Sequence, residues 1–164
     1  MTPYHLNQTT LAKIRELIEA NFAVRDELYA AAESLDDEAR KKVCRRLADH
    51  LGGHAAELQQ ILLSTNSDVV DVADVDFVDY IAEQTFLTMV RELHGSARVI
   101  AAVEQSERNL KGKYDEALQS VPEREAEGVL ERQRSDVEFG EQVLHCMQDN
   151  PDVKPRNAEN SERK

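Results

Sequence analysis

Apolar residues recur at three- and four-residue steps along most of the chain, which is the spacing of one face of an α-helix. The first such stripe includes Leu11, Ile14, Ile18 and Leu28. The complete pattern predicts helices over 10–34, 38–63, 77–93, 96–119 and 120–148. Two long helices joined by a short turn form an αα-hairpin. The chain is therefore predicted to be all-α, with two hairpins on either side of a shorter helix.

Capping residues support these boundaries. Asp37 stands where an N-cap is expected for the second helix. The run Ser120-Val121-Pro122-Glu123 has the spacing of a capping box with proline in the first turn. We divide the chain into an N-terminal segment 1–9, a helical bundle 10–150 and a polar tail 151–164, which is predicted to be disordered.

The connection between the hairpins is long. Residues 64–95 contain the additional helix 77–93, and a helix of that length spans roughly 25 Å. Such a segment could carry the chain along the bundle, so that both hairpins start at the same end. This is the crossover topology of ferritin-like four-helix bundles, rather than a simple up-down-up-down order.

The crossover helix is apolar on more than one side, although a helix lying on a bundle needs one apolar stripe. The surplus favours a homodimer interface in this helix, and the alternative is a helix that sinks deeper into its own domain. The residues predicted for the interface are Phe77, Phe86, Met89, Val90 and Leu93.

Charge and composition exclude several function classes. The 164 residues include 32 acidic and 20 basic side chains, which gives a formal net charge of −12. This acidic balance argues against nucleic acids or anionic membranes as partners, because phosphate binding needs clustered Lys and Arg. No apolar run is long enough to span a bilayer, and the first residues lack the pattern of a secretory leader. We therefore expect a cytoplasmic location.

Four polar residues interrupt the apolar stripes: Asn21, His54, Glu107 and Gln133. Counted from the two hairpin turns, all four fall near the middle of their helices. Buried polar groups need partners, so we predict one shared polar layer, with Arg25 neutralising Glu107.

The functional interpretation of this layer is a metal site. His50, His54 and Glu57 lie on one side of the second helix, and Glu107 could face them. Di-iron bundles also need Glu-x-x-His pairs, and this sequence has none. A mononuclear iron or zinc site remains the alternative to a hydrogen-bonded core layer.

Two smaller features concern the same helices. Gly52-Gly53 lies between the two histidines, where it could permit close helix approach or mark a kink. Cys44 and Cys146 fall at helix ends that the crossover topology brings together. Two partly buried, unreactive thiols are favoured over a redox pair.

The hairpins resemble a bacterial family of ferritin-like four-helix bundles of unknown function, distantly similar to rubrerythrin. The resemblance implies a ferritin-like bundle with a crossover and no known activity. It places Glu107 at a ligand position of rubrerythrin-like proteins, seven residues before Tyr114, whereas Phe22 stands at the equivalent place before Tyr29. The resemblance is carried by Leu17-Ile18-Glu19, Ala31-Ala32-Glu33, Ala55-Ala56-Glu57-Leu58, Glu104-Gln105-Ser106-Glu107, Tyr114-Asp115-Glu116-Ala117-Leu118 and Leu130-Glu131-Arg132-Gln133.

The sequence therefore predicts a bundle that acts by self-association or partner binding, without a catalytic residue set or cofactor. It contains no glycine-rich phosphate loop and no nucleophile elbow. The alternative function is a metal-binding oxidoreductase or storage protein of the ferritin and rubrerythrin type, holding iron or zinc.

Overall fold

A computed structural model describes residues 6–65 and 96–149, and within these ranges the chain is helical with no strands. The helices are α1 (Gln8–Ser34), α2 (Glu38–Ser64), α3 (Ser96–Ser120) and α4 (Arg124–Asp149). They confirm the four long helices predicted from the stripes. The predicted helix 77–93, its interface residues Phe77, Phe86, Met89, Val90 and Leu93, and the tail 151–164 lie outside the described residues.

Short polar side chains cap the first two helices. The Asn7 side chain accepts a hydrogen bond from the Thr10 backbone N–H at 2.8 Å, so α1 begins two residues earlier than its apolar stripe predicts. The predicted N-cap at Asp37 is confirmed, since its carboxylate accepts from the Ala39 N–H at 3.0 Å. Both caps satisfy backbone donors that have no partner inside the helix.

The predicted capping box at the start of the last helix is wrong. Ser120 is the last residue of α3, and its hydroxyl donates to the carbonyl of Glu116. The Glu123 carboxylate instead accepts hydrogen bonds from the Asn7 N–H at 2.9 Å and from the Thr10 hydroxyl at 2.7 Å. Glu123 therefore ties the start of α1 to the turn between α3 and α4.

Contacts between the hairpins give the helix directions. Thr10, near the start of α1, contacts Glu123, just after the end of α3. Asn21, farther along α1, contacts Tyr114, which lies earlier in α3, so α1 and α3 are antiparallel. Likewise Gln133 of α4 lies nearer the end of α2 than its beginning, because it bonds Glu57. Helices α1 and α4 therefore run in one direction, and α2 and α3 run in the opposite direction.

The core lies between the four helices and is built from the predicted stripes. Ile14, Leu28, Leu58, Leu110 and Leu144 are among its fully buried side chains. Burying side chains of this size stabilises the fold by about 1.5–3 kcal/mol each. None of the described helices is sufficiently long and apolar to cross a membrane.

Candidate functional site

A chain of hydrogen bonds crosses the interior and joins all four helices. The Asn21 side-chain amide of α1 donates to the Tyr114 hydroxyl of α3 at 2.9 Å. The Tyr114 hydroxyl donates to Gln133 Oε1 of α4 at 2.7 Å, and Gln133 Nε2 donates to Glu57 Oε1 of α2 at 2.8 Å. Arg132 completes the chain at the surface by pairing with Glu57. We call these five residues the polar chain.

Tyr114 is the centre of the polar chain. Its side chain is fully buried, as are those of Asn21 and Gln133. Burial raises the pKa of the Tyr114 phenol well above its ordinary value. The hydroxyl therefore stays protonated, so it can accept a hydrogen bond from Asn21 and donate one to Gln133. At the surface end, the hydrogen bond from Arg132 lowers the pKa of Glu57, which stays ionised as an acceptor.

A second polar group surrounds Glu107. This residue is 1% exposed, and neither of its carboxyl oxygens has a hydrogen-bond partner. The charges of Glu27 on α1 and Glu141 on α4 reach it, and its own charge acts on Cys44 of α2. We call Glu27, Glu107 and Glu141 the carboxyl cluster.

The three members of the carboxyl cluster have different protonation. Burial, followed by repulsion from Glu141 and Glu27, raises the pKa of Glu107 to about 8. Burial also raises the pKa of Glu27. For Glu141 the effect of burial is outweighed by Lys111 and Arg108, whose nitrogens lie 2.6 and 2.9 Å from its oxygens, so its pKa is lowered. Near neutral pH, the arrangement favours an ionised Glu141 beside a neutral Glu107.

The prediction of one shared polar layer is wrong for Glu107. Asn21 and Gln133 meet at Tyr114, and the Gln133 amide also donates to the His54 carbonyl at 3.3 Å. Asn21 meets Tyr114 rather than Glu107. Seven residues separate Tyr114 from Glu107, which is about 10 Å at the helical rise. The predicted layer required the turns of the two hairpins to lie at the same height in the bundle. The buried Tyr114 hydroxyl needs both Asn21 and Gln133, and this requirement shifts one hairpin along the other.

Arg25 does not neutralise Glu107 as predicted, since both Glu107 oxygens are without hydrogen-bond partners. Its guanidinium pairs with Asp26 at 2.8 Å and lies over the Phe22 ring, 4.5 Å from the ring centre. The stem of Arg25 passes close to Gly52, where an added Cβ would lie 3.4 Å from the Arg25 Cδ. Helix α2 continues through both glycines without a break, and Gly52 lies where the Arg25 stem approaches the helix.

The four predicted metal ligands are not brought together. His50 is exposed, and Glu57 belongs to the polar chain. The His54 Nε2 lies 3.1 Å from Asp136 Oδ2, and burial lowers the pKa of His54 despite that carboxylate. Glu107 lies in the carboxyl cluster. Within residues 6–65 and 96–149, no group of three or more His, Cys, Asp or Glu side chains is arranged to hold a metal ion. The predicted set therefore does not fit iron or zinc.

Two interior residues escaped the sequence analysis. Tyr114 follows Leu110 by four residues and so falls in the apolar stripe of its helix, although a tyrosine at a core position needs a partner for its hydroxyl. Glu27 was not singled out, because it follows Asp26 and looks like a residue of a solvated face. One of its oxygens is nevertheless buried without a partner. Neither partnership could be found without the register between the hairpins.

Glycine substitutions should separate open helix surface from tight packing. A Cβ at Gly53 meets nothing within 4 Å, so Gly53→Ala should raise the free energy of unfolding by about 0.5–1 kcal/mol through helix propensity. A Cβ at Gly140 would lie 3.2 Å from a Glu107 oxygen and 3.3 Å from Leu47. Gly140→Ala should therefore lower the free energy of unfolding by roughly 1 kcal/mol. Urea unfolding of both variants provides the measurement, and equal shifts would contradict the packing at Gly140.

The two cysteines have different surroundings, and both are free thiols. Cys44 is buried, and burial followed by the nearby Glu107 charge raises its pKa to about 11. Cys146 is exposed. Since the thiolate is the reactive form, Cys44 should resist alkylation. This contrast does not favour a redox pair.

Thiol labelling should therefore modify one cysteine per folded chain. At pH 8 we expect Cys146 to react with a maleimide and Cys44 to react only after denaturation. Cys146→Ser is the matched control and should abolish labelling of the folded protein. Comparable native labelling of Cys44, followed by peptide mass spectrometry, would show that its surroundings are open.

Comparisons with known protein families, with curated proteins and with solved structures find no match to this chain. The interpretation of its function therefore rests on its own residues.

Proposed function

We propose that the protein is a ferritin-like helical bundle that acts by self-association or partner binding, with no catalytic step. In this proposal residues 64–95 form the lengthwise crossover between the hairpins. Phe77, Phe86, Met89, Val90 and Leu93 form the interface of a homodimer. The interior polar residues hold the four helices in one register.

The helix directions support a lengthwise crossover. Helix α2 runs opposite to α1, so Thr65 lies at the end of the bundle where α1 begins. Helix α3 ends beside the start of α1, through Thr10 and Glu123, so Ser96 lies at the other end. A chain leaving Thr65 therefore has to travel the length of a helix, about 40 Å for the 27 residues of α1, to enter α3. These directions support a ferritin-like crossover over an up-down-up-down order.

The single observation that carries a structural role for the interior is the polar chain. Its amide, phenol and carboxylate groups bond one another across all four helices, at 2.7–2.9 Å for the three interior contacts. These bonds favour one arrangement of helices, because other registers would leave the Tyr114 hydroxyl and the Gln133 amide unpaired.

Light scattering of the purified full chain tests self-association. We expect a mass of about 37 kDa, twice the 18.6 kDa chain. Replacing Phe86 and Val90 together with Ser should shift the mass to that of one chain. Leu63→Ser, at a residue that is 70% exposed on α2, is the matched control and should leave the dimer intact. A strict monomer at high concentration would remove self-association from the proposal.

A metal-binding function is the second candidate, and the Glu107 carboxyl favours it. The buried Glu107 carboxyl has two oxygens without a hydrogen-bond partner and lies near two further carboxyls. In this alternative the protein would be an oxidoreductase or storage protein of the ferritin and rubrerythrin type. Metal analysis of the wild type and Glu107→Gln separates the two candidates.

A further inference from the structure

A groove between α1 and α3 holds a cavity of about 280 Å³. The residues that line it all belong to these two helices. They recur at one- to four-residue steps from Glu16 to Glu27 on α1 and from Ser106 to Lys113 on α3, so each helix contributes one continuous edge. The cavity is close to the smallest pockets that proteins use for ligands, so it suits a few long side chains rather than a large ligand.

Small side chains keep the groove open. Ala20 and Ala23 of α1 and Ser106 of α3 line the cavity, and all three are half-buried. Beneath them Val24 and Leu110 are 7% and 1% exposed, so the floor of the groove is the outer edge of the core. The groove therefore offers an apolar floor that an aliphatic chain can cover.

The rim of the groove is acidic. It is lined by Glu16, Glu19 and Glu27, with Lys113 as the one cation among the lining residues. Glu16 pairs with Lys13 at 3.4 Å, whereas Glu19 and Glu27 have no basic partner in the described part of the chain. One Glu27 oxygen is buried without a hydrogen-bond partner, and burial raises the pKa of this carboxyl. The groove therefore presents two carboxyl groups that no neighbouring cation offsets.

The spacing of these two carboxyls indicates what would fit them. Glu19 and Glu27 are eight residues apart on α1, which is about 12 Å at the helical rise. Cations about two turns apart on a second helix have nearly the same separation. Lys and Arg lay their aliphatic stems on apolar surface while their charged ends stay at its edge. The formal charge of −12 also attracts positively charged partners at long range.

We propose that the groove between α1 and α3 binds a basic helical segment of a partner protein, with the aliphatic stems of its Lys or Arg side chains on the apolar floor and their charged ends beside Glu19 and Glu27. The bound cations also offset the cost of burying the Glu27 carboxylate. A neutral or acidic segment gains neither effect. This site rests on the partner binding proposed above and does not depend on self-association.

Fluorescence polarisation of a labelled peptide tests the charge of the partner. The peptide consists of Ala, Leu and Lys, with lysines two turns apart, and has roughly 20 residues so that it can form a helix. It should bind the full chain, and the same peptide with Glu in place of each Lys should not. Glu19→Gln should weaken binding several-fold. Glu125→Gln is the matched control, because it removes an exposed carboxylate of α4, and it should leave binding nearly unchanged.

Filling the cavity separates a shaped site from general attraction to an acidic protein. Ala23→Phe keeps every charge and places a ring in the groove, so it should abolish binding while circular dichroism shows the same helix content. Binding that persists in Ala23→Phe, or that weakens equally in Glu19→Gln and Glu125→Gln, would overturn the proposal. No binding of the lysine peptide would also overturn it.

Spermidine provides the last comparison, because it carries the same cations on an aliphatic chain without a helix. We expect it to bind at least tenfold more weakly than the peptide. Binding as tight as that of the peptide, and lost in Ala23→Phe, would assign the groove to a free polyamine and overturn a protein partner. Light scattering reports self-association separately, so failure of this site and failure of self-association are distinguishable.

Discussion

Glu107→Gln should make the protein markedly more stable at pH 8 while changing little at pH 4. In the folded chain, burial and two neighbouring carboxyls raise the Glu107 pKa to about 8, compared with 4.5 in the unfolded chain. The folded state therefore holds the proton that the unfolded state loses between these values. Stability falls as pH rises through this window, by on the order of 3–5 kcal/mol in total. Glutamine is neutral throughout and avoids this loss.

Urea unfolding across pH 4–9 gives the measurement. The wild type should lose stability steadily from about pH 4.5 to pH 8, and Glu107→Gln should show a much flatter profile. Glu116→Gln is the matched control, because Glu116 is exposed on the same helix. It should follow the wild type at every pH. Parallel profiles for the wild type and Glu107→Gln would show that Glu107 ionises normally in the fold.

Tyr114→Phe should lower the free energy of unfolding by about 2 kcal/mol, because the change keeps the ring and removes the hydroxyl at the centre of the polar chain. The Asn21 amide would lose one acceptor, although it still donates to the Leu17 carbonyl at 2.7 Å. Gln133 Oε1 would lose its donor in a fully buried position. Chemical denaturation at neutral pH measures the difference.

Tyr29→Phe provides the comparison for this change. The Tyr29 hydroxyl donates to Asp49, but its side chain is 38% exposed and water can replace the lost bond. We expect a loss below about 0.5 kcal/mol. Equal losses in the two variants would show that burial does not strengthen the contribution of the Tyr114 hydroxyl to stability. The double variant Tyr114→Phe with Gln133→Leu should recover part of the loss, since it removes the stranded acceptor.

The four long helices were predictable because each carries a regular apolar stripe with a cap or break nearby. Asp37 shows this, since a short acidic residue before an apolar run is a strong local signal. Ser120 shows the limit of such signals. Its capping pattern was present, but Glu123 is engaged by Asn7 and Thr10, which are more than a hundred positions away in sequence. Tertiary contacts therefore overrode the local motif.

The interior was predictable in composition but not in pairing. Asn21, Glu107 and Gln133 are buried as their place in the stripes predicts. Helical spacing says which side a residue faces, but it does not fix how far one hairpin slides along another. Asn21 lies beside Tyr114, which is two helical turns from Glu107 on the same helix. The metal hypothesis failed in its ligand set for the same reason, because it assumed that His54 and Glu107 share a level.

Metal content tests the central claim that this bundle's interior is structural. The full chain should be purified without a tag or chelator, incubated with Fe²⁺ or Zn²⁺, exchanged into buffer and analysed for metal per chain. We predict well below one equivalent for the wild type, with no difference from Glu107→Gln. One or more equivalents in the wild type, lost in Glu107→Gln and retained in Glu116→Gln, would contradict the account and favour the ferritin-type alternative.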